Sequence, residues 1–137
     1  MLIASSTVRR SATTQTADTT TTLDVIDLFN EAFNRHDVEG IMALMTNDVV
    51  FENTSPRPDG ERYDGQESVR GFWEQFFASS PNARFDTEDI FAGVNRCTVR
   101  WIYNWIDADG KPGHVRGVDV FRVRDGKVAE KLSYVKG

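Results

Sequence analysis

Val115-Arg116-Gly117-Val118-Asp119-Val120-Phe121-Arg122-Val123 is the stretch whose reading decides the fold. Its β-branched and aromatic content is that of a strand, and Asp125-Gly126 just beyond it is a hairpin-turn signal. Asp119 is the misfit. Aspartate is depleted in strand interiors, and a carboxylate facing an apolar layer costs several kcal/mol unless it is paired or protonated. A chain that keeps one there either satisfies it within the fold or puts it to chemical use. Alternation places Gly117, Asp119 and Phe121 on one face and Val118 and Val120 on the other.

Upstream of this strand the pattern is first helical, then extended. Val25, Ile26, Leu28, Phe29, Ala32 and Phe33 form a helical stripe from Leu23, with Thr21 or Thr22 as its N-cap. Asn34-Arg35-His36-Asp37 breaks it, and Asp37 caps a short second helix carrying Ile41, Leu44 and Met45. Asp48–Asn53 reads as a strand, followed by a long polar loop, Thr54–Tyr63, suited to a pocket rim. A third helix follows, capped by Asp64 with Glu67 three residues on, and Val69, Phe72, Trp73, Phe76 and Phe77 keep its apolar spacing. Ser79-Ser80-Pro81 ends it. The remainder is β, at about 83–91, 96–107, 114–124 and 127–135, with Asp109-Gly110 and Asp125-Gly126 turns. Helices first and a strand meander after them predict α+β, with helices packed on the concave face of a curved, mainly antiparallel sheet.

The bulk numbers set limits on partners. The chain has 137 residues, a net charge of −5 and no run of Lys or Arg, which argues against nucleic acid and against an anionic membrane surface. No segment approaches the roughly 18 apolar residues of a membrane span. A single cysteine, Cys97, leaves no internal disulfide and points to a reducing, cytoplasmic setting. Residues 1–22 stand apart, half of them Ser or Thr, and this composition predicts a flexible tail, with a transit-like leader as the alternative. The folded domain is expected over 23–137.

Three separated strings carry a resemblance: Ala32–Ile41, Asp48–Asn53 and Gly117–Val128. Together they resemble the nuclear transport factor 2-like superfamily, and within it the SnoaL-like polyketide cyclases and ketosteroid-isomerase-like proteins, over Leu23–Gly137. The resemblance implies a cone-shaped α+β barrel enclosing an apolar pocket, usually in a homodimer, acting without cofactor on a small apolar molecule. Its isomerase pattern puts the proton-donating aspartic acid at Asp119. The tyrosine oxyanion donor of that pattern falls on Phe29, which has no hydroxyl, and the catalytic base falls on Asn53, which takes no proton near neutral pH. The cyclase pattern relies chiefly on one acid/base aspartate with a polar helper, roles open to Asp119 and Asn53. In the related limonene-epoxide-hydrolase pattern Asn53 and Arg100 match, but the two aspartates fall near Ile102 and Ser133, so the carboxylate that activates water is missing.

Each candidate has a plainer reading beside it. Asp119 is either a pocket acid or a buried carboxylate satisfied by backbone N–H groups or a neighbouring cation. Asn53 either orients a ligand or bonds the Thr54-Ser55-Pro56 turn. Phe29, Trp73, Phe76 and Phe121 are core side chains that become ligand contacts if the core encloses a cavity. Two registers are open for residues 98–107. Alternation alone puts Val99, Trp101, Tyr103 and Trp105 inside. Counting back from Asp119 across the Asp109-Gly110 turn, in the ungapped match to the isomerase, puts Arg100, Ile102 and Asn104 inside instead. The second register is preferred, because it leaves an aromatic convex face for a second subunit to cover. It adds Arg100 and Asn104 to the candidate substrate contacts. His36 and His114 have no metal-site spacing, and no metal is expected. The two functions in view are an enzyme for proton transfer beside a carbonyl, by cyclisation or isomerisation, and a non-catalytic ligand-binding or dimerisation module.

Overall fold

The apolar periodicities resolve into three helices laid on one six-stranded sheet. A computed structural model describes the chain from Leu2 to Gly137, with side chains from Asp18 onward. The elements are α1 (Leu2–Asn34), α2 (Val38–Ala43), β1 (Met45–Glu52), β2 (Arg62–Asp64), α3 (Gln66–Ser79), β3 (Arg84–Ala92), β4 (Arg96–Ile106), β5 (Pro112–Arg124) and β6 (Lys127–Val135). The strands lie in the order β2-β1-β6-β5-β4-β3. All neighbours are antiparallel except β1 and β6, which run parallel. The sheet is curved and unclosed, and the helices cover its concave face: the α+β cone architecture expected from the sequence.

The helix starts differ from the sequence reading. Thr21 and Thr22 lie inside α1 and do not begin it, because the helix continues back through the Ser/Thr-rich stretch read as a tail. Thr22 is 2% exposed, and its hydroxyl donates to the Val94 carbonyl at 2.8 Å, tying α1 to the β3–β4 turn. Leu28, placed in the apolar stripe, is exposed. At the other end of α1, Asn34 bonds both ways with the Phe85 backbone, donating to its carbonyl at 2.9 Å and accepting from its N–H at 3.0 Å. The edge strand β3 is thereby pinned to the helix. Asp37 caps α2 as its position implies, accepting from the Gly40 N–H. Asp64 does not cap α3. It ends β2 and binds Arg62 at 3.1 Å, while Gly65, at φ 85°, takes the cap position. Gln66 then anchors the helix through its amide, which donates to the carbonyls of Met42, Met45 and Thr46.

The register of β4 is the main correction. Val99 pairs with Asp119, Trp101 with Gly117 and Tyr103 with Val115, so the aromatic set faces inward with Asp119. The turn explains why. It is not a two-residue Asp109-Gly110 turn but a five-residue loop over 107–111, in which the Asp107 carboxylate accepts from the Asp109 and Lys111 N–H groups at 2.9 and 2.8 Å. One residue fewer on the β4 side moves every side chain of that strand to the opposite face. Arg100 and Asn104 therefore lie exposed on the convex side. Trp101 and Trp105 lie across Gly117 and Gly113, their strand partners, and a Cβ on Gly117 would sit 2.4 Å from the Trp101 ring and 2.3 Å from the Tyr134 carbonyl oxygen.

Gly117→Ala is therefore expected to lower stability by about 1–3 kcal/mol through overpacking. Gly71→Ala, on α3 with open space around the added methyl, should raise it by roughly 0.5–1 kcal/mol. Urea-unfolding midpoints at unchanged slope check both, and equal shifts would contradict the packing around Gly117.

Candidate functional site

Inside the cone the side chains are almost all aromatic. Phe33 meets Trp73, Phe77 and Phe85 edge to face at centroid distances of 5.6, 5.1 and 4.7 Å, and Trp73 stacks on Phe51 at 5.0 Å. Phe29, the position at which the isomerase pattern has tyrosine, is 1% exposed and packs against Phe121 at 5.5 Å and Trp73 at 6.3 Å. It closes the core with a ring and offers no donor.

Against this background three polar side chains from the two central strands meet. Asp119 on β5 is directly opposite Ser133 on β6, and Lys131 is one step along the same face. The Ser133 hydroxyl donates to Asp119 Oδ1 at 2.7 Å, Lys131 Nζ lies 3.3 Å from Oδ2, and Lys131 Nζ donates to Ser133 Oγ at 2.9 Å. Both charged side chains are only 7% exposed. The amine also sits over the rings of Phe51 at 4.7 Å and Trp73 at 5.5 Å, with Phe121 at 6.0 Å. These contacts favour the ammonium electrostatically. Burial acts against it and dominates, so Lys131 holds its proton less tightly than an ordinary lysine, with Asp119 opposing the shift.

Two cavities meet at this cluster. The larger, about 90 Å³, is lined by Phe33, Phe51, Phe72, Trp73, Phe76, Phe85, Trp101 and Tyr103, with Asn53, Thr54, Lys131 and Ser133 as its polar wall and Val115 and Val135 alongside. The smaller, about 20 Å³, lies deeper and touches Phe29, Asn30, Thr87, Asp119 and Lys131. Lys131 borders both. Asn53 follows Val49 and Phe51 in the inward alternation of β1 and stands half-buried on the larger cavity. Its backbone N–H donates to the Glu61 carbonyl at 2.9 Å, which steadies the rim.

Of the residues singled out in the sequence, Asp119, Asn53, Phe29, Trp73 and Phe76 lie around these two cavities. Phe121 is fully buried beneath them, under the Lys131 amine. Arg100 belongs instead to an open groove on the convex side with Glu88, Arg116 and Tyr134, and Asn104 is exposed on that same side, so neither reaches the interior. Lys131 and Ser133 were missed. The available signal was Asp119 itself, since a buried carboxylate calls for a counter-charge on a neighbouring strand. Cys97 is buried, and burial pushes its thiol up to about 11, away from nucleophile chemistry. His36 ends α1 at φ 56°, stacks on Phe77 at 4.4 Å and bonds the Ala83 carbonyl oxygen at 2.7 Å. Among the described residues no three His, Cys, Asp or Glu side chains group as a metal site, and no helix is long and apolar enough to cross a membrane.

This arrangement has known relatives. A SnoaL-like domain matches residues 8–131, and the chain belongs to that family. It is similar to an NTF2-like protein of unknown function from Mesorhizobium loti, with 39% identity and a TM-score of 0.75, over 87% of this chain and 93% of that one. It is also similar to a protein from Mycobacterium tuberculosis solved in complex with estradiol-17β-hemisuccinate, with 25% identity and a TM-score of 0.71, over 83% of this chain and 92% of the other. A putative polyketide cyclase from Xanthomonas campestris pv. campestris shares the fold at 22% identity and a TM-score of 0.71, over 87% and 93% of the two chains. No curated protein sequence matches the chain.

The buried pair makes a double prediction. Lys131→Met strands the Asp119 carboxylate and should cost about 3–5 kcal/mol, whereas Lys131→Met with Asp119→Asn should recover most of that loss. The pH dependence has a definite sign. Unfolded, Lys131 keeps its proton up to about its ordinary value of 10.5; folded, burial makes it release the proton at lower pH. Between those two values the unfolded chain binds more protons, so stability rises with pH and levels off above the ordinary value. Urea midpoints across the alkaline range should show this slope in the wild type and lack it in the double variant. A wild-type profile parallel to the double variant's would contradict the assignment.

Proposed function

We propose that this protein is a cofactor-independent enzyme that moves a proton next to a carbonyl group of a small apolar molecule, in a cyclisation or isomerisation. One observation carries the reading: Lys131, Ser133 and Asn53 form the polar wall of an otherwise aromatic cavity, and Asp119, bonded to both Ser133 and Lys131, stands just behind that wall on the smaller cavity. Proton transfer beside a carbonyl needs a proton carrier and a donor for the developing oxyanion, held where water is scarce. Asp119 is the carrier in this reading, and Asn53 at the rim orients the substrate. The ring-lined wall, with Phe76, Trp73 and Tyr103, supplies flat apolar contact.

The size of the cavity narrows the substrate. At about 90 Å³ it is smaller than the ~150 Å³ apolar cavity that takes benzene. A polycyclic molecule is therefore not enclosed: only its end reaches inward, and the remainder lies at the mouth near Val115 and Val135. The mycobacterial relative's steroid ester supports an apolar ligand with a polar end. A second reading, a ligand-binding module without chemistry, is favoured by Phe29 and Asn53, which stand where the isomerase pattern has its tyrosine and its base.

A homodimer belongs to the same proposal. With Trp101 and Tyr103 inside, the convex face offers Ile102, Val118, Val120, Leu132 and Tyr134 as its apolar patch, and Tyr134 is 54% exposed. A two-fold contact would cover it. Sedimentation equilibrium at micromolar concentration is expected to return about twice 15.5 kDa, and a monomer at that concentration would remove the dimer from the proposal.

Solvent-deuterium exchange into a panel of small ketones and polyketide-like esters tests the activity. Asp119→Asn, shown folded by circular dichroism, should exchange about 100-fold more slowly than wild type, and Asn53→Ala should lose less. Equal exchange by wild type and Asp119→Asn across the panel would decide for the binding module.

A further inference from the structure

We propose that Lys131 is a covalent site, forming a reversible imine with a small aldehyde or ketone held in the aromatic cavity. The inference rests on the small-molecule reading of the same cavity and goes beyond it in naming the bond. Lys131 differs from the other three lysines of the chain. Lys111, Lys127 and Lys136 are exposed, while the side chain of Lys131 is 7% exposed and points its amine among the rings of Phe51, Trp73 and Phe121. It lines both cavities, so a carbonyl carbon in the larger one can approach Nζ while Asp119 stands on the other side in the smaller one. Asp119 Oδ2, at 3.3 Å, is the carboxylate that faces the amine, and the Ser133 hydroxyl bridges the two. Burial already weakens the hold of Lys131 on its proton. A desolvated lysine of this kind is how a weak amine nucleophile becomes an effective one.

The proton inventory closes within the pair. The ammonium passes one proton to Asp119, and the freed lone pair adds to the carbonyl carbon as the C=O π pair moves to oxygen. Asp119 returns its proton to that oxygen through the Ser133 hydroxyl, which borders the larger cavity and bonds Oδ1, giving a hydroxyl. Asp119 then takes a proton from the nitrogen and delivers it by the same route to the hydroxyl, which leaves as water as the C=N bond forms. The net change is ammonium plus carbonyl to iminium plus water, with one positive charge before and after. Asp119 ends as the carboxylate opposite the iminium, which remains beside the same aromatic rings. The iminium withdraws electrons from the neighbouring carbon more strongly than the carbonyl did, so the same site serves the proton transfer proposed above.

The test uses the wild-type chain, benzaldehyde as the carbonyl probe and sodium cyanoborohydride, which reduces an iminium to a stable secondary amine. Peptide mass mapping then compares the four lysines within one sample. At neutral pH Lys131 is expected to be labelled at least about tenfold faster than Lys111, Lys127 or Lys136, because more of it is unprotonated and the cavity gathers the probe. Asp119→Asn keeps the amine but removes the proton shuttle, and should slow labelling at Lys131 by about tenfold or more. Labelling at the three exposed lysines with Lys131 no faster overturns the proposal, and an unchanged rate in Asp119→Asn overturns the role given to that carboxyl group. Deuterium exchange separates this inference from the reading beneath it. Exchange that depends on Asp119 without trapping at Lys131 removes the imine alone, and trapping without exchange sustains the imine and removes the proton-transfer activity.

Discussion

One extra residue in β6 decides which face of the sheet carries charge. The Asp125-Gly126 turn has φ 53° and 73°, the geometry of a tight type I′ hairpin, and pairs Arg124 with Lys127 and Val123 with Val128. Continued in that register, Asp119 would face Leu132, and Lys131 and Ser133 would point to the convex side. The ladder instead shifts between Val123 and Arg122, so Ala129 is a bulge and Glu130 pairs with Arg122. From there on Lys131 and Ser133 share the concave face with Asp119. Val128 and Ala129 are both buried, consecutive in a strand where alternation would bury one. Bulges that re-aim a side chain are a recurrent device beside functional sites, and the meeting of Lys131, Ser133 and Asp119 depends on this one.

The aromatic packing explains both the smallness of the cavity and the isolation of the pair. Phe33, Phe51, Trp73, Phe85 and Trp101 fill the cone from two helices and the sheet, edge to face, tilted and stacked at 4.6–5.6 Å. Where glycine removes a side chain from β5, at Gly117 and Gly113, a tryptophan of β4 occupies the space. Such a wall surrounds the buried pair with apolar rings and lowers the local dielectric, which strengthens attraction within the Lys131–Asp119 pair and raises the cost of either charge alone. The same packing leaves Phe29 as a wedge between Phe121 and Trp73, so the side of the core that carries an oxyanion donor in the isomerase pattern is here apolar.

Much of this was legible in the chain. The helix stripes of α1 and α3, the four long strands of the meander and the inward position of Asp119 follow from periodicity, because each is set by residues near in sequence. The register of β4 was legible too, in the plain alternation of Val99, Trp101 and Tyr103. What misled was the assumption of a two-residue turn at Asp109-Gly110, when Asp107 holds a five-residue loop through its side chain. Asp64 and Thr22 misled for a related reason: good capping residues were spent on other partners, Arg62 and the Val94 carbonyl. Lys131 was hidden most deeply. Counting from the Asp125-Gly126 turn puts it outside, its neighbours Lys127 and Glu130 read as a solvated turn and edge, and the parallel pairing that makes β6 central joins it to β1, some 80 residues away in sequence. A bulge and a long-range parallel pairing leave no local mark.

A buried ion pair is weak ground for stability, since well-packed apolar replacements of similar volume are often as stable or more so. Its persistence therefore asks for another reason. Specifying register is one such use: the type I′ turn and Val123 against Val128 hold the register only up to the bulge, and beyond it the pair itself joins β5 to β6, together with Phe121 packed on Phe29. Satisfying Asp119 is circular, because a leucine or valine at that position would need no satisfying. What the pair supplies and an apolar substitute does not is an amine and a carboxylate 3.3 Å apart where the two cavities meet. Burial loosens the hold of Lys131 on its proton, and Asp119 opposes that loss. The proposed proton transfer gives both residues a use beyond holding two strands together.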